Sequence, residues 1–332
     1  MAIVTIAGFG SLLGLVAGEI ALRIVRATAP PQYPRIDPET QGLPTVQGIY
    51  GLAAPNQRVV YQAALWATNS RGIRGPELEL PKPDGTFRIA VLGDSISAGH
   101  GVPVASAYPT LLEAALNGIG EKRRYEVVNA SLPGNSLRQS VEHRLPIALE
   151  YAPDLFIYGF TINDLEGPSY RPLLRIDAQP SGSLLFDSLL DGWKKFRDVT
   201  WPRGDSYVRE LDDNFFHNPG AWGDFTDALQ TLRRTADERG ACLVMFVHTQ
   251  LMTLNSWHQY QRHYAAAARA AAEMSIPVVE SFEYFRGLSY LKYWRNIHDA
   301  HPNEEGHQIM AEALLQGLRT LPVRCWKRER GA

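Results

Sequence analysis

The chain has 332 residues, of which 45% are hydrophobic and 20% are charged, so it is a folded protein with a large core and neither disordered nor fibrous. Its 33 basic and 35 acidic residues leave a formal charge of −2, which excludes an extended basic surface for nucleic acid. The cysteines, Cys242 and Cys325, are far apart and lack metal-ligand spacing, so they predict neither a disulfide framework nor a zinc site.

The N-terminal segment has the character of a membrane helix. Residues 1–18 contain no charged side chain and no proline. A helix over 3–25 would be about 35 Å long, enough to cross about 30 Å of hydrocarbon. Glu19 and Arg23 are four residues apart with the acid first, so they can pair on one helix face. We predict a transmembrane anchor over 1–26, because a cleaved signal peptide would carry a basic stretch before the apolar one.

Small residues recur along one stripe of this helix. Gly10, Gly14 and Gly18 form two consecutive G-x-x-x-G steps, which would let a partner helix approach closely. The alternative is a lipid-facing stripe, because glycine is frequent in membrane helices. The nearby basic residues, Arg23 and Arg26, follow the helix, and by the positive-inside rule they favour a cytoplasmic location for the rest of the chain.

The composition and the pattern of predicted elements in the remaining chain change near residue 87. Residues 27–86 are rich in Pro, Gly and Gln with short alternating runs, which predicts an extended, hairpin-like arm. After the arm, short β-rich runs alternate with longer helical stretches. The predicted strands are 87–92, 125–129, 155–160, 243–248 and 277–279. The predicted helices are 107–116, 137–150, 222–239, 258–274 and 304–318.

This βαβα order predicts one α/β domain over 87–322, followed by a tail at 323–332. Strands that alternate with helices form a parallel sheet through right-handed crossovers, with the ligand site at the carboxyl ends of the strands. The alternation lapses at 165–221, which is rich in Pro, Gly and aromatic residues. Such an insertion is either a cap over the site or an additional packing layer.

A serine follows the first strand of this domain. Gly93-Asp94-Ser95 comes directly after an apolar run, so the Ser95 hydroxyl would lie above the carboxyl edge of the sheet. A serine in such a turn is more often a helix N-cap than a nucleophile. The turn alone therefore does not define an active site.

Three further segments supply the other groups that acyl transfer requires. Gly134 follows the second strand and can present a backbone N–H, and Asn163 follows the third strand with a side-chain amide. His301 and Asp299 lie near the start of the last helix. A nucleophile, oxyanion donors, a base and an acid together predict catalysis through a covalent serine ester.

The same histidine-rich segment offers a metal site as an alternative. His298, His301, His307 and Asp299 offer ligand atoms, but the histidines lack the i, i+4 spacing of a helical zinc motif. A metal would also leave the serine and oxyanion segments without a purpose. We therefore expect neither a metal nor a cofactor.

These four blocks, in this order, resemble those of the SGNH (GDSL-type) hydrolases, which are serine esterases on a flavodoxin-like three-layer α/β/α fold. The resemblance implies that Ser95 is the nucleophile and that its own N–H lies in the oxyanion hole. It also implies that Gly134 and Asn163 complete the oxyanion hole and that His301 is the general base. Residues 66–77 resemble the arm of membrane-anchored bacterial members of the family.

Two positions depart from the family pattern. Thr161 stands where the family usually has glycine, two residues before the block-three asparagine. The usual acid position, three residues before the histidine, is His298, whereas Asp299 is two residues before it. This Asp-x-His spacing is similar to that of the related alginate O-acetyltransferases, so Asp299 is predicted as the orienting acid.

The resulting expectation is a single-pass membrane esterase with an extracytoplasmic, periplasmic catalytic domain, a location that the subgroup resemblance favours and the local arginines oppose. The expected substrates are O-acetyl or other short acyl esters of carbohydrates. An O-acetyltransferase and a lipid esterase or thioesterase remain alternatives, because they share the catalytic residues. A further alternative is an accessory subunit of a membrane complex, in which catalysis is secondary or lost.

Overall fold

The computed structural model describes residues 14–21, 23–24, 40–46, 51–119, 124–165, 183, 185–186, 189, 206–252, 254, 260–296 and 299–326. The chain divides into two compact units. The first comprises residues 1–32 and 169–210, and the second comprises residues 33–168 and 211–332.

The predicted arm forms a small sheet within the second unit. Strand β1 (Thr45–Val46) pairs in parallel with β2 (Arg58–Tyr61), and β2 pairs antiparallel with β3 (Ala64–Ala67). Gln62 and Ala63 both have positive φ values, 51° and 63°, as a two-residue hairpin turn requires. Val59, Tyr61 and Trp66 of this sheet form a buried cluster with Leu52 and with Ala98 of the following domain. The hairpin of the arm is therefore packed onto that domain.

The central sheet is parallel, as the βαβα order predicts. Its strands are β4 (Thr86–Gly93), β5 (Arg124–Asn129), β6 (Leu155–Phe160), β7 (Cys242–Val247) and β8 (Val278–Glu280). Their order is β5-β4-β6-β7-β8 with every pair parallel. Counted from β4, this is the 2-1-3-4-5 order of flavodoxin-like folds, which places a ligand site beside the first strand.

All five helices predicted for this domain are present with ends within a few residues of the prediction, and the described chain also contains four further α-helices that the sequence did not predict, one of them within the predicted insertion. They are α1 (Ser95–Ala98), α2 (Tyr108–Asn117), α3 (137–150, with one π turn at Ser140–Arg144), α4 (Ser206–Phe216), α5 (Pro219–Glu238), α6 (Gln261–Glu273), α7 (Phe282–Phe285), α8 (Tyr290–Tyr293) and α9 (Glu304–Arg319). Alternate residues of β4 and β6 enter one core with α2 and α9. On the opposite face, Phe160 contacts Phe225 of α5 and Tyr264 of α6, which completes a three-layer arrangement.

The segment before α9 differs from the prediction. Two short antiparallel strands, β9 (Trp294–Asn296) and β10 (Asp299–Pro302), precede the helix that the histidine segment was expected to open. Asp299 and His301 are therefore strand residues two positions apart, and side chains at that spacing lie on the same side of a strand. His298 lies outside the described residues.

The two cysteines form a disulfide, which corrects the sequence-based interpretation. Cys242 begins β7, and Cys325 lies in a 3₁₀ turn after α9. Their Cα atoms are 5.2 Å apart although the residues are separated by 83 positions in the sequence. The packing of α9 beside the sheet brings the two cysteines together. The spacing of residues along the sequence does not predict such a long-range contact.

The first unit contains the N-terminal helix, which is described at 14–21 and 23–24. The predicted pair is present, with Arg23 Nε 2.7 Å from Glu19 Oε1. Glu19 also accepts hydrogen bonds from Ser183 Oγ at 2.9 Å and from the Leu185 backbone N–H at 2.8 Å. A Cβ placed on Gly18 would lie 3.4 Å from Leu185 Cδ2. This face of the helix thus contacts the insertion of the same chain.

Among the residues described, no helix has both the length and the apolar character needed to cross a membrane. Residues 1–13, which make up the first half of the predicted anchor and include Gly10, lie outside the described residues, as does most of the insertion at 165–221.

Candidate active site

Ser95 occupies a constrained turn at the carboxyl end of β4. The Asp94 side chain accepts a hydrogen bond from Ile96 N at 3.0 Å and caps the short helix α1, which ends at Gly99 with φ of +74°. A Cβ on Gly93 would overlap Ser97 Oγ. The absence of a side chain at Gly93 therefore lets α1 pack closely against the strand end and sets the position of Ser95.

Ser95, His301 and Asp299 form one hydrogen-bonded chain. Ser95 Oγ is 2.9 Å from His301 Nε2, and His301 Nδ1 is 2.6 Å from Asp299 Oδ1. Because a carboxylate only accepts, His301 Nδ1 carries a proton and Nε2 is free to accept the serine proton. The His301 side chain is 31% exposed, so this chain of groups is partly accessible to solvent.

The Asp299 carboxylate is held in its ionised form. Burial by itself would raise the pKa of Asp299, but its interactions with the nearby His100 and His301 side chains outweigh burial and hold the pKa far below its usual range. Arg295 Nη1 also donates to Asp299 Oδ2 at 2.7 Å. An anionic Asp299 can therefore orient the imidazole and stabilise it when it gains a proton.

Three residues beside this chain were not identified from the sequence. The His100 ring stacks on the His301 ring with centroids 3.9 Å apart and planes 16° from parallel. Tyr61 OH lies 3.2 Å from His100 Nδ1, and Arg295 contacts Asp299. The only sequence signal was proximity, since His100 is five residues after Ser95 and Arg295 is four before Asp299.

The predicted oxyanion residues follow the two strands that flank β4. Gly134 lies after β5 in a turn with φ of +79°, and Asn163 lies after β6 on the 3₁₀ turn Ile162–Leu165. Leu132 N donates to Gly93 O at 3.1 Å, which joins the Gly134 loop to the end of β4. Within the described part of the chain, Asn163 Oδ1 is buried without a hydrogen-bond partner. The side-chain amide of Asn163 therefore makes no internal hydrogen bond through its oxygen.

The departure at Thr161 has a structural explanation. Thr161 Oγ1 lies 3.4 Å from His248 Nδ1, and His248 Nε2 lies 3.2 Å from Tyr108 OH. Burial lowers the pKa of His248 to about 3, so the ring is neutral and offers one donor and one acceptor. The backbone of the loop is held independently, because Thr161 N donates to Asp164 Oδ2 at 2.8 Å. The threonine thus joins a buried polar network and leaves the loop supported.

His100, Asp299 and His301 also meet the distance requirement for a metal site, since their ligand atoms lie within 4.8 Å of one another. Their arrangement does not suit a cation. The two imidazole rings are stacked nearly parallel, so their nitrogen lone pairs do not converge on one point. Asp299 Oδ2 already pairs with the guanidinium of Arg295, whose charge opposes a second cation.

Comparison with known proteins identifies the family. The model of the GDSL-like Lipase/Acylhydrolase family matches residues 91–309, and the chain belongs to this family of ester hydrolases. An arylesterase of Vibrio mimicus is 36% identical over 78 residues, which are 23% of this chain and 38% of that enzyme. The chain thus matches well under half the length of this curated relative.

Solved structures were also compared. A catalytic mutant of the acetylxylan esterase Axe2 of Geobacillus stearothermophilus is 15% identical with a TM-score of 0.46, over 74% of this chain and 97% of that one. The crystal structure of TesA is 18% identical with a TM-score of 0.43, over 70% of this chain and 98% of that one.

Proposed function

We propose that the protein is a serine esterase that forms an acyl-enzyme on Ser95. The observation that carries this proposal is the hydrogen-bonded chain Ser95–His301–Asp299 at the carboxyl end of β4, with distances of 2.9 and 2.6 Å. Had Ser95 and His301 been out of hydrogen-bond reach, the accessory-subunit alternative would have been favoured. The geometry instead supports catalysis.

The reaction has two steps, and His301 Nε2 carries a proton in each of them. Ser95 Oγ transfers its proton to His301 Nε2 and attacks the acyl carbon, and the bond from this carbon to the leaving oxygen then breaks as that oxygen takes the proton from Nε2. In the second step, water gives a proton to His301 Nε2 and attacks the acyl carbon, and the bond from this carbon to Ser95 Oγ breaks as Oγ takes that proton and the acid is released. Backbone N–H groups of Ser95 and Gly134 and the amide of Asn163 are the proposed donors to the tetrahedral oxyanion.

The proposed substrates are O-acetyl or other short acyl esters of carbohydrates. The support is the segment 66–77, which resembles the arm of membrane-anchored bacterial members of the family. Acetyl transfer to a glycan hydroxyl is a second candidate, because the contact between Asp299 and His301 uses the Asp-x-His spacing similar to that of the alginate O-acetyltransferases. The two reactions differ only in the acceptor that reaches the acyl-enzyme.

The catalytic unit is proposed to lie in an oxidising compartment outside the cytoplasm. The disulfide between Cys242 and Cys325 supports this location, because such bonds persist mainly in oxidising environments. Anchoring through the N-terminal helix is proposed with it. Four apolar side chains of this helix are about half exposed, namely Leu15, Val16, Ile20 and Ile24. A C-terminal reporter active only in the periplasm tests the orientation, and activity of a cytoplasmic reporter would contradict it.

A fluorophosphonate probe tests the esterase proposal directly. The full-length protein should be labelled and should hydrolyse p-nitrophenyl esters, fastest for the acetyl ester in a series up to dodecanoyl. Ser95→Ala should abolish labelling, whereas Ser289→Ala, an exposed serine of the same domain, should leave it intact. Labelling that persists in Ser95→Ala, or a folded wild-type protein that is never labelled, would refute the assignment. Adding acetylated oligosaccharide with and without an acceptor glycan separates hydrolysis from transfer.

A further inference from the structure

The turn of the arm hairpin reaches the catalytic acid through one arginine. Arg295 Nη2 donates to the backbone carbonyl of Gln62 at 2.5 Å, while Nη1 donates to Asp299 Oδ2 at 2.7 Å. The Arg295 side chain is 2% exposed, so this bridge is shielded from solvent. Gly101 makes room for it, because a Cβ there would overlap the guanidinium. The arginine is therefore enclosed by residues of the arm and of the turn that follows Ser95.

The same hairpin holds a second group against His301. Tyr61 of β2 contacts His100 Nδ1 at 3.2 Å, and His100 stacks on His301. Burial, and then the charge of Asp299, raise the pKa of Tyr61 to about 12, so the phenol keeps its proton and donates. Burial, and then the charge of His301, lower the pKa of His100 to about 4. His100 is therefore neutral at neutral pH and presents an uncharged ring face to His301.

These contacts restrict rotation of the Asp299 carboxylate and movement of the His301 ring, both of which would impair proton transfer. Asp299 Oδ1 accepts from both His301 Nδ1 and His301 N, at 2.6 and 3.1 Å, while Oδ2 is occupied by Arg295. The carboxylate cannot rotate without breaking one of these bonds. His100 covers one face of the His301 imidazole, and Asp299 holds its Nδ1. Both the position and the orientation of the His301 ring are therefore restricted. Preorganisation of this kind avoids reorganisation of the groups during the reaction.

We propose that Arg295 and His100 are positioning residues for the pair Asp299–His301, and that the arm hairpin is part of the catalytic apparatus because its Gln62 carbonyl and Tyr61 hydroxyl hold them. This inference rests on the proposed function, in which Ser95, His301 and Asp299 carry out ester hydrolysis. The arm is thus more than a spacer between the N-terminal helix and the catalytic domain.

A double-mutant cycle on the full-length protein tests the arginine. Arg295→Met should lower kcat for p-nitrophenyl acetate by about 10- to 100-fold with little change in KM, because a small displacement of a catalytic group costs up to about 100-fold. In an Asp299→Asn background, Arg295→Met should cost less than about twofold, since its partner charge is gone. Arg295→Lys should recover part of the loss. Arg286→Met, an exposed arginine paired with Glu283, is the matched control and should behave as wild type.

A second cycle tests the stacked histidine with variants that keep the packing. Tyr61→Phe removes only the hydroxyl and should lower kcat by about three- to tenfold, the range of one lost neutral hydrogen bond. His100→Phe keeps a stacked ring but cannot accept this bond, so Tyr61→Phe should have no further effect in that background. Thermal midpoints of Tyr61→Phe and His100→Phe should remain within a few degrees of the wild type. Arg295→Met removes one partner of a buried ion pair and should lower the midpoint, so its kcat is measured at a temperature where circular dichroism shows the variant to be folded.

The outcomes distinguish failure of this inference from failure of the proposed esterase function. If the losses from Arg295→Met and Asp299→Asn multiply, and those of Tyr61→Phe and His100→Phe do too, the residues act independently of the pair and the inference is wrong while the esterase stands. Loss of kcat only at temperatures where a variant is partly unfolded would equally assign the replaced residue a purely structural role. Hydrolysis that survives Ser95→Ala would overturn the proposed function, and the inference with it.

Discussion

Replacement of Arg74 by methionine should break the hydrogen bonds that join the arm to the turn that follows Ser95. The Arg74 guanidinium is buried and donates to four backbone carbonyls. Nη1 contacts Ala98 O and Gly99 O at 2.8 Å each, and Nη2 contacts Leu65 O at 2.9 Å and Val102 O at 2.8 Å. Three of these carbonyls belong to the turn that follows Ser95, so one side chain connects this turn to β3.

The magnitude follows from those contacts. Burial lowers the pKa of Arg74 to about 10, so the group remains charged at neutral pH. Four hydrogen bonds from a charged donor are worth about 1.5 kcal/mol each, about 6 kcal/mol in total, and desolvation of the guanidinium offsets part of this. Arg74→Met should therefore lower the free energy of unfolding by about 3–5 kcal/mol, out of the 5–15 kcal/mol typical of a folded protein.

Urea unfolding of the purified full-length protein, followed by far-UV circular dichroism, measures this change. Arg74→Lys keeps the charge but cannot span the four carbonyls or stack on Trp66, whose ring centroid lies 4.7 Å from the guanidinium carbon, so it should lose about half as much. Arg71→Met, which removes an exposed ion pair with Glu150, is the control and should cost less than about 1 kcal/mol. A loss below about 1 kcal/mol for Arg74→Met, at an unchanged dependence on urea, would refute this account of the arm.

Two further predictions concern stability. Reduction of the Cys242–Cys325 disulfide should lower the free energy of unfolding by up to about 4.5 kcal/mol, because a closed loop of 83 residues limits the unfolded chain. The double variant Cys242→Ser/Cys325→Ser should show no response to reductant, and two reactive thiols in the untreated protein would contradict the bond. Burial also depresses three histidine pKa values from 6.5, to about 4 for His100 and about 3 for both His248 and His307. Their contribution to stability is present above pH 6.5 and is lost as pH falls, by up to about 4 kcal/mol per pH unit between about pH 6 and 4.5, because the unfolded chain binds three protons that the fold excludes. Unfolding midpoints that are flat across this range would contradict that burial.

The amino-acid sequence predicted the central domain closely because its signals are local. Short apolar runs separated by amphipathic stretches located β4 to β8 and their helices, and the rule for right-handed crossovers implied a parallel sheet. The Gly-Asp-Ser turn was correctly placed at the end of β4, because the end of a strand is visible as a change of pattern. The β9–β10 hairpin escaped prediction because its strands are only three and four residues long, too short to show a period.

By itself the sequence determined the sheet, the family and the positions of Ser95, Asp299 and His301, since each depends on patterns within a few neighbouring residues. Only the tertiary structure decided what surrounds them. Tyr61 meets His100 across 39 positions, Cys242 meets Cys325 across 83, and Arg295 meets the Gln62 carbonyl across 233. The physical reason is that burial and long-range packing determine these partners, and no periodicity along the chain indicates which distant residue a buried side chain will contact.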